Sequence, residues 1–357
     1  MKKIIALLLS IILALTLISC NSSKNPVDSS SSSTTAETTT TTREETPDVY
    51  KPVDMRVIAL KGPTGIGMAQ LMYSNSEKTA SNNYTFTLAS APDEVSAEII
   101  KGNFDIAAVP VNLASVLYNK GADVRFLAVN TLGVLYIMEN GNTINSISDL
   151  AGKTVYATGK GSTPQYVLEY VLEKNGLVVG KDVEVEYFAE HAELASKLAA
   201  NTVAIGLLPE PQVTSARISS TANSNTDLRI ALNMTEEWNK VASGNQLVQG
   251  VIVVRGDFYE ENTAAVYSFL AEYEKSVKFV NENVETAAAY CELFGIVPKA
   301  AVAKMAIPNC NTVCISGTDG NSYMSEMLKV LYDANPASVG GKLPDGASNF
   351  YVNDVNS

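Results

Sequence analysis

One stretch limits the choice of fold more than any other: ISDLAGKTVYATGKGSTPQYVLEYVLEKNG, from Ile147 to Gly176. Thr154 to Ala157 reads as a short buried strand, and Thr158 to Thr163 as a loop of small residues. A helix then starts at Pro164, with Tyr166, Val167, Tyr170 and Val171 at helical spacing and Gly176 as its stop. Proline in the first turn needs no N–H there, and Ser162 or Thr163 can cap. A strand that runs through a tight loop into a helix aims free backbone N–H groups beyond the strand's end, which suits a negative group.

The same strand–loop–helix grammar recurs upstream. Met55 to Leu60 alternates as a strand and leads into Lys61-Gly62-Pro63-Thr64-Gly65-Ile66-Gly67, before a helix carrying Met68, Leu71 and Met72. The glycine spacing matches neither a dinucleotide fingerprint nor a phosphate-binding P-loop, so we expect glycines that let backbone approach a ligand. Strands are expected at 84–89, 104–109 and 124–129, with helices opening at Ser90 to Asp93 and at Pro110 to Asn112. Strands alternating with helices imply right-handed crossovers and a parallel sheet. Further strands are expected at 135–138, 183–188, 204–208, 228–233 and 248–254. From Arg255 onward the chain reads as mainly helical.

The Asp-Leu-x-Gly-Lys-x-Val run at 149–155, with its small-residue loop and helix, resembles the second lobe of type II periplasmic solute-binding proteins, the receptors of ABC importers. The branch that binds sulfonates, taurine, nitrate or thiamine precursors is most similar. Lys101-Gly102-Asn103-Phe104-Asp105-Ile106-Ala107 resembles that family's G-x-x-D-x-A strand. The resemblance implies an α/β protein of two Rossmann-like lobes with a ligand cleft between them, joined by two hinge segments. The lobes are then 50–130 plus 252–357, and 131–251, with hinges near Thr131-Leu132 and Gln249-Gly250. It also implies a small-molecule ligand, and an ABC permease with its ATPase as partners.

The N-terminus fits that reading. Residues 1–19 carry Lys2 and Lys3 and then an apolar run too short for the ~20 residues of a membrane span. They end in Leu17-Ile18-Ser19-Cys20, which resembles a bacterial lipobox, so Cys20 is the expected lipidation site and membrane anchor. Over 20–49 we expect a disordered tether, because 15 of the 26 residues from Asn21 to Thr46 are Ser or Thr. The formal charge falls from −12 to −14 once Lys2 and Lys3 are removed. That argues against nucleic acid, whose binding rests on phosphate neutralisation. A monomer is expected. Among Cys291, Cys310 and Cys314 one disulfide is plausible outside a cell, leaving one thiol over.

Catalytic chemistry is hard to find. His191 is the single histidine, and at a helix start it reads as solvated or capping. No nucleophile elbow, zinc-protease motif or paired Cys-x-x-Cys occurs, so no enzyme, metal or organic cofactor is expected. Two other readings remain: a ligand sensor on the same fold, or an enzyme resembling pyrimidine-precursor synthases, which a secretion signal and a single histidine disfavour.

Small ligands sit beyond the carboxyl ends of strands in open α/β sheets. Expected ligand residues are therefore Thr64, Gly65, Ser90, Pro110, Val111 and Asn112 on the first lobe. Gly161, Ser162 and Thr163 belong to the second, with Leu132 and Gln249 at the crossings. Glu210, in the Pro209-Glu210-Pro211 turn, either meets a ligand amine or stays solvated. Met68, Leu132 and Val134 are the apolar candidates for a cleft poor in aromatic rings.

Overall fold

The computed structural model describes residues 50–346 and 348–352. The leader, Cys20 and the tether over 20–49 lie outside them. In chain order the first sheet is built from β1 (Asp54–Leu60), α1 (Pro63–Ile66), α2 (Ala69–Ser76), β2 (Asn83–Ala89), α3 (Pro92–Ile100), β3 (Ile106–Pro110), α4 (Val111–Asn119) and β4 (Val124–Leu132). The chain then crosses into β5 (Leu135–Asn140), β6 (Thr154–Thr158), α5 (Thr163–Lys174), β7 (Glu184–Phe188), α6 (His191–Ala199), β8 (Ile205–Pro209), α7 (Gln212–Ala222), β9 (Leu228–Asn233) and α8 (Met234–Val241). It returns through β10 (Val248–Arg255) to α9 (Gly256–Glu261), α10 (Thr263–Glu282), α11 (Val284–Leu293), α12 (Ala300–Ala306), β11 (Thr312–Ser316) and α13 (Gly317–Ala334).

Two separate sheets result. The first runs β11-β4-β10-β3-β1-β2 and the second β7-β6-β8-β5-β9. Neither is purely parallel. β1, β2 and β3 pair in parallel, but β10 enters antiparallel between β3 and β4, and β11 is antiparallel to β4. In the second sheet β6 is parallel to β7 and β8, while β5 runs against β8 and β9. The expected all-parallel sheet is thus corrected. The reversed strand common to both sheets, β10 in the first and β5 in the second, is the one that the chain makes directly after crossing between lobes; β11, at the edge of the first sheet, runs the same way as β10. A repeat invisible in the sequence emerges from this: β2-β1-β3-β10-β4 in one lobe matches β7-β6-β8-β5-β9 in the other.

The crossings themselves shift slightly. The first is Gly133-Val134, between β4 and β5, and the return falls over 242–247, between α8 and β10. Gln249 and Gly250, expected at the return hinge, lie inside β10, where Gly250 pairs with both Pro110 and Thr131. Valines on both sides of that pair are fully buried, so the segment is held as a central strand.

One apolar cluster continues through both lobes, from Val95, Leu117 and Met327 beside the first sheet to Val155, Val171 and Trp238 beside the second. The opposite face of the first sheet is covered by α2 and α10 to α12, through Met68, Phe269 and Tyr273. Along α10, Leu270, Tyr273 and Val277 are buried in this second cluster, Tyr273 at 0% exposed, and Tyr267 packs against its edge. At the far end of this sheet Asp105 fixes the strand starts. It accepts from the Arg56 backbone N at 2.8 Å and Arg56 Nη2 at 2.6 Å, with Arg255 Nη2 at 3.2 Å. Among the described residues no helix is long and apolar enough to cross a membrane.

Candidate ligand-binding site

A cavity of about 120 Å³ lies between the lobes at the carboxyl ends of the parallel strands. Four helices begin at it. The residues preceding α3, α4, α5 and α6 are Ala91, Pro110, Ser162 and Glu190, and all four line the cavity. The residue preceding each of these helices makes no side-chain cap, while Glu94 of α3 and Gln165 of α5 accept from the Ser90 and Gly161 N–H groups just outside their helices. Each N-terminus carries roughly +0.5 of a charge and unsatisfied N–H groups, so two ends from each lobe favour a negative group between them.

Side chains complete the wall. Thr64 donates to the Leu60 carbonyl at 3.1 Å, and Ser162 Oγ donates to the Gly159 carbonyl at 2.8 Å, fixing two loops that face each other. Lys61 adds a cation on the first-lobe side, and Gln249 and Thr131 close the floor. Pro63, Pro92, Pro164 and Val134 supply apolar surface, and the lining holds no Phe, Tyr or Trp.

His191 is the side chain that sequence reasoning misplaced. It lines the cavity half-buried, with Nδ1 2.5 Å from Thr158 Oγ1. Burial pushes its pKa down to about 4, so the ring is neutral near pH 7. The second ring nitrogen has no hydrogen-bond partner among the described residues. The usable signal lay in placement: His191 opens a helix directly after a strand of the second sheet, as Thr163 does.

The structure brings Thr64, Ser90, Pro110, Ser162 and Gln249 together around the cavity. The other expected ligand residues are outside its lining, each for a local reason. Gly65 packs against the protein itself, since a Cβ there would stand 2.7 Å from the Leu60 carbonyl. Within that loop only Gly62, at φ +99°, requires glycine for its backbone conformation. Val111, the first residue of α4, is fully buried, and Leu132 is held in β4 opposite Val248. Asn112, Gly161 and Thr163 are engaged with one another. Glu210 is neither solvated nor in the cavity wall. It is 2% exposed, and its carboxylate accepts from the Thr214 N–H and hydroxyl, each at 3.0 Å. Burial pushes its carboxyl above the usual range. Met68 is likewise core, whereas Val134 reaches the cavity. Neither Ser162 nor Thr163 caps α5 through its side chain.

Two mixed sheets, two crossings and an interlobe cavity ringed by helix ends define a solute receptor of the type II periplasmic class. The family model described as ABC transporter, phosphonate, periplasmic substrate-binding protein matches residues 76–298, and the chain belongs to that family. It is the solute-binding component of an ABC importer. Among solved structures the fold is similar to an ABC transporter protein from Parabacteroides distasonis, at 22% identity and a TM-score of 0.67, over 82% of this chain and 96% of that one. It is also similar to the periplasmic aliphatic sulphonate binding protein SsuA from Escherichia coli, at 17% identity and TM-score 0.65, over 82% and 96%. The periplasmic nitrate-binding protein NrtA from Synechocystis PCC 6803 follows at 12% identity and TM-score 0.57, over 82% and 84%. No curated protein sequence matches the chain.

Proposed function

We infer that the cavity binds the oxyanion head of a small organic acid, a phosphonate or sulfonate, for delivery to the permease and ATPase of the importer. The observation that carries this is the convergence of four helix N-termini without side-chain caps, two per lobe, on one small cavity. Such a site neutralises an anion with backbone dipoles that are already oriented, so it works inside a protein of net charge −12. The sulfonate and nitrate ligands named for the similar structures are of the same chemistry.

His191 fits an anion as well. If the Thr158 hydroxyl donates to Nδ1, the neutral ring carries its proton on Nε2 and offers a donor. A bound oxyanion selects that tautomer. The scarcity of aromatic surface and the small volume suit a compact alkyl group better than a stacked ring. Delivery from outside the cell accords with lipid anchoring at Cys20, and we infer a monomer that binds its ligand without chemical change.

A thermal-shift panel on the purified protein tests the ligand class. Methylphosphonate or ethanesulfonate, at about a hundred times its Kd, should raise the melting temperature by several degrees through mass action. Shifts confined to neutral or cationic solutes would refute an oxyanion site. A sensor on the same fold would bind equally well. Loss of ligand uptake on deleting the permease, with binding intact, separates transport from sensing.

A further inference from the structure

Asn112 lies in the first turn of α4 and is 1% exposed, yet it takes no part in the cavity wall. Its amide is used on both sides. Nδ2 donates to the Gly161 carbonyl at 3.3 Å and to the Ser338 carbonyl at 3.1 Å, and Oδ1 accepts from Thr163 Oγ1 at 3.1 Å. Two carbonyl acceptors against one hydroxyl donor leave no ambiguity about which end of the amide is which. Thr163 is 0% exposed.

These contacts join three parts of the fold. Ser338 lies in the C-terminal segment, and α4 grips that segment along one face. Ser115 Oγ donates to the Val339 carbonyl at 2.8 Å, and Asn119 Nδ2 to the carbonyls of Val339 and Lys342 at 2.8 and 2.7 Å. Farther on, Phe350 is fully buried and its carbonyl accepts from Phe126 N at 2.7 Å, so the segment is anchored at both ends. Lobe 1 therefore holds Asn112 in position by itself. Gly161 and Thr163 belong to the other lobe, so their bonds to Asn112 cross from one lobe to the other.

We propose that Asn112, with Gly161 and Thr163, is a latch for the closed state that sets how long a ligand is retained, whatever the ligand's chemistry. The inference rests on the reading of this chain as a receptor that closes. Two hydrogen bonds made only on closure shift the open–closed balance without touching the ligand, and such a shift acts mainly on dissociation. When the lobes part, both the Thr163 hydroxyl and the Asn112 amide regain water, so opening carries no buried unpaired group.

Hydrogen exchange on the ligand-free full chain tests the latch directly. Thr163→Val keeps the shape and removes the hydroxyl. It should speed exchange of the amides around 161–166 about tenfold, with the sheet amides of both lobes unchanged. Ser115→Ala, which loosens only the grip within lobe 1, should affect 338–342 and leave 161–166 alone. Unchanged exchange at 161–166 in Thr163→Val overturns the latch. So does faster exchange spread evenly over both sheets, which would mark a stabilising role only. With methylphosphonate bound, the variant should release it about tenfold faster at an unchanged association rate. If methylphosphonate does not bind the wild type, the ligand class fails while the exchange data still decide the latch.

Discussion

The Thr158 hydroxyl and Nδ1 of His191 lie 2.5 Å apart, joining the last residue of β6 to the first residue of α6. The pair makes the one histidine of the chain a pH-dependent element of stability. An ordinary imidazole titrates near 6.5, and burial lowers this one to about 4. Between those values the unfolded chain takes up a proton that the folded chain refuses. Stability from this group is therefore complete above about pH 6.5 and is lost as pH falls towards 4. His191→Gln removes the titration. Urea unfolding at pH 7.5, 5.5 and 4.5 should show wild type losing more stability than the variant across that interval. Parallel losses would mean that the ring titrates normally.

A second prediction concerns a glycine whose replacement should help on propensity and yet harm. Gly320 lies within α13, where alanine is favoured by about 1 kcal/mol. A Cβ at this position would stand 2.4 Å from the Ile315 carbonyl oxygen and 3.0 Å from its carbon, both backbone atoms of the neighbouring strand. Backbone cannot turn aside as a side chain can. Gly320→Ala should lower stability by ~1–3 kcal/mol, the usual cost of overpacking, read as a reduced denaturant midpoint at unchanged slope. A variant as stable as wild type would show that α13 sits farther from β11.

Much of the architecture was readable because it is local. Valines and isoleucines at 248–254 announce a buried strand, and Tyr166, Val167, Tyr170 and Val171 an amphipathic helix, without any knowledge of neighbours. What escaped depended on partners distant in sequence. The strand at Thr312–Ser316 is short, and it exists because β4 offers an edge to pair with. The direction of β10 follows from the route the chain takes back between lobes. Site residues divide the same way. Pro110 and Ser162 reach the cavity because helix starts at strand ends face it by construction. Asn112, two residues after Pro110, and Thr163, one after Ser162, carry equally polar side chains, but these bond to each other instead. Glu210 could not be resolved from sequence, since the group that satisfies it, Thr214, is what decides between solvent, ligand and core.

The last prediction replaces an expected disulfide by three thiols. Cys291, Cys310 and Cys314 are all free, the first two buried and the third partly so. Burial pushes the thiols of Cys291 and Cys314 up to about 12, and that of Cys310 upward as well, with the nearby Glu210 carboxylate adding to the effect. The thiolate is the reactive form, so at pH 8 the native protein should hold almost none of it at these sites. Iodoacetamide should therefore modify Cys291, Cys310 and Cys314 slowly in the folded chain and rapidly once denaturant exposes them, with peptide mass spectrometry assigning each site. Fast modification of native Cys310 would contradict its enclosure between α12 and β11. A mass lower by two hydrogens, restored by reductant, would instead show that two of the three thiols pair after all, and that the packing around α11, α12 and β11 must differ from the one described.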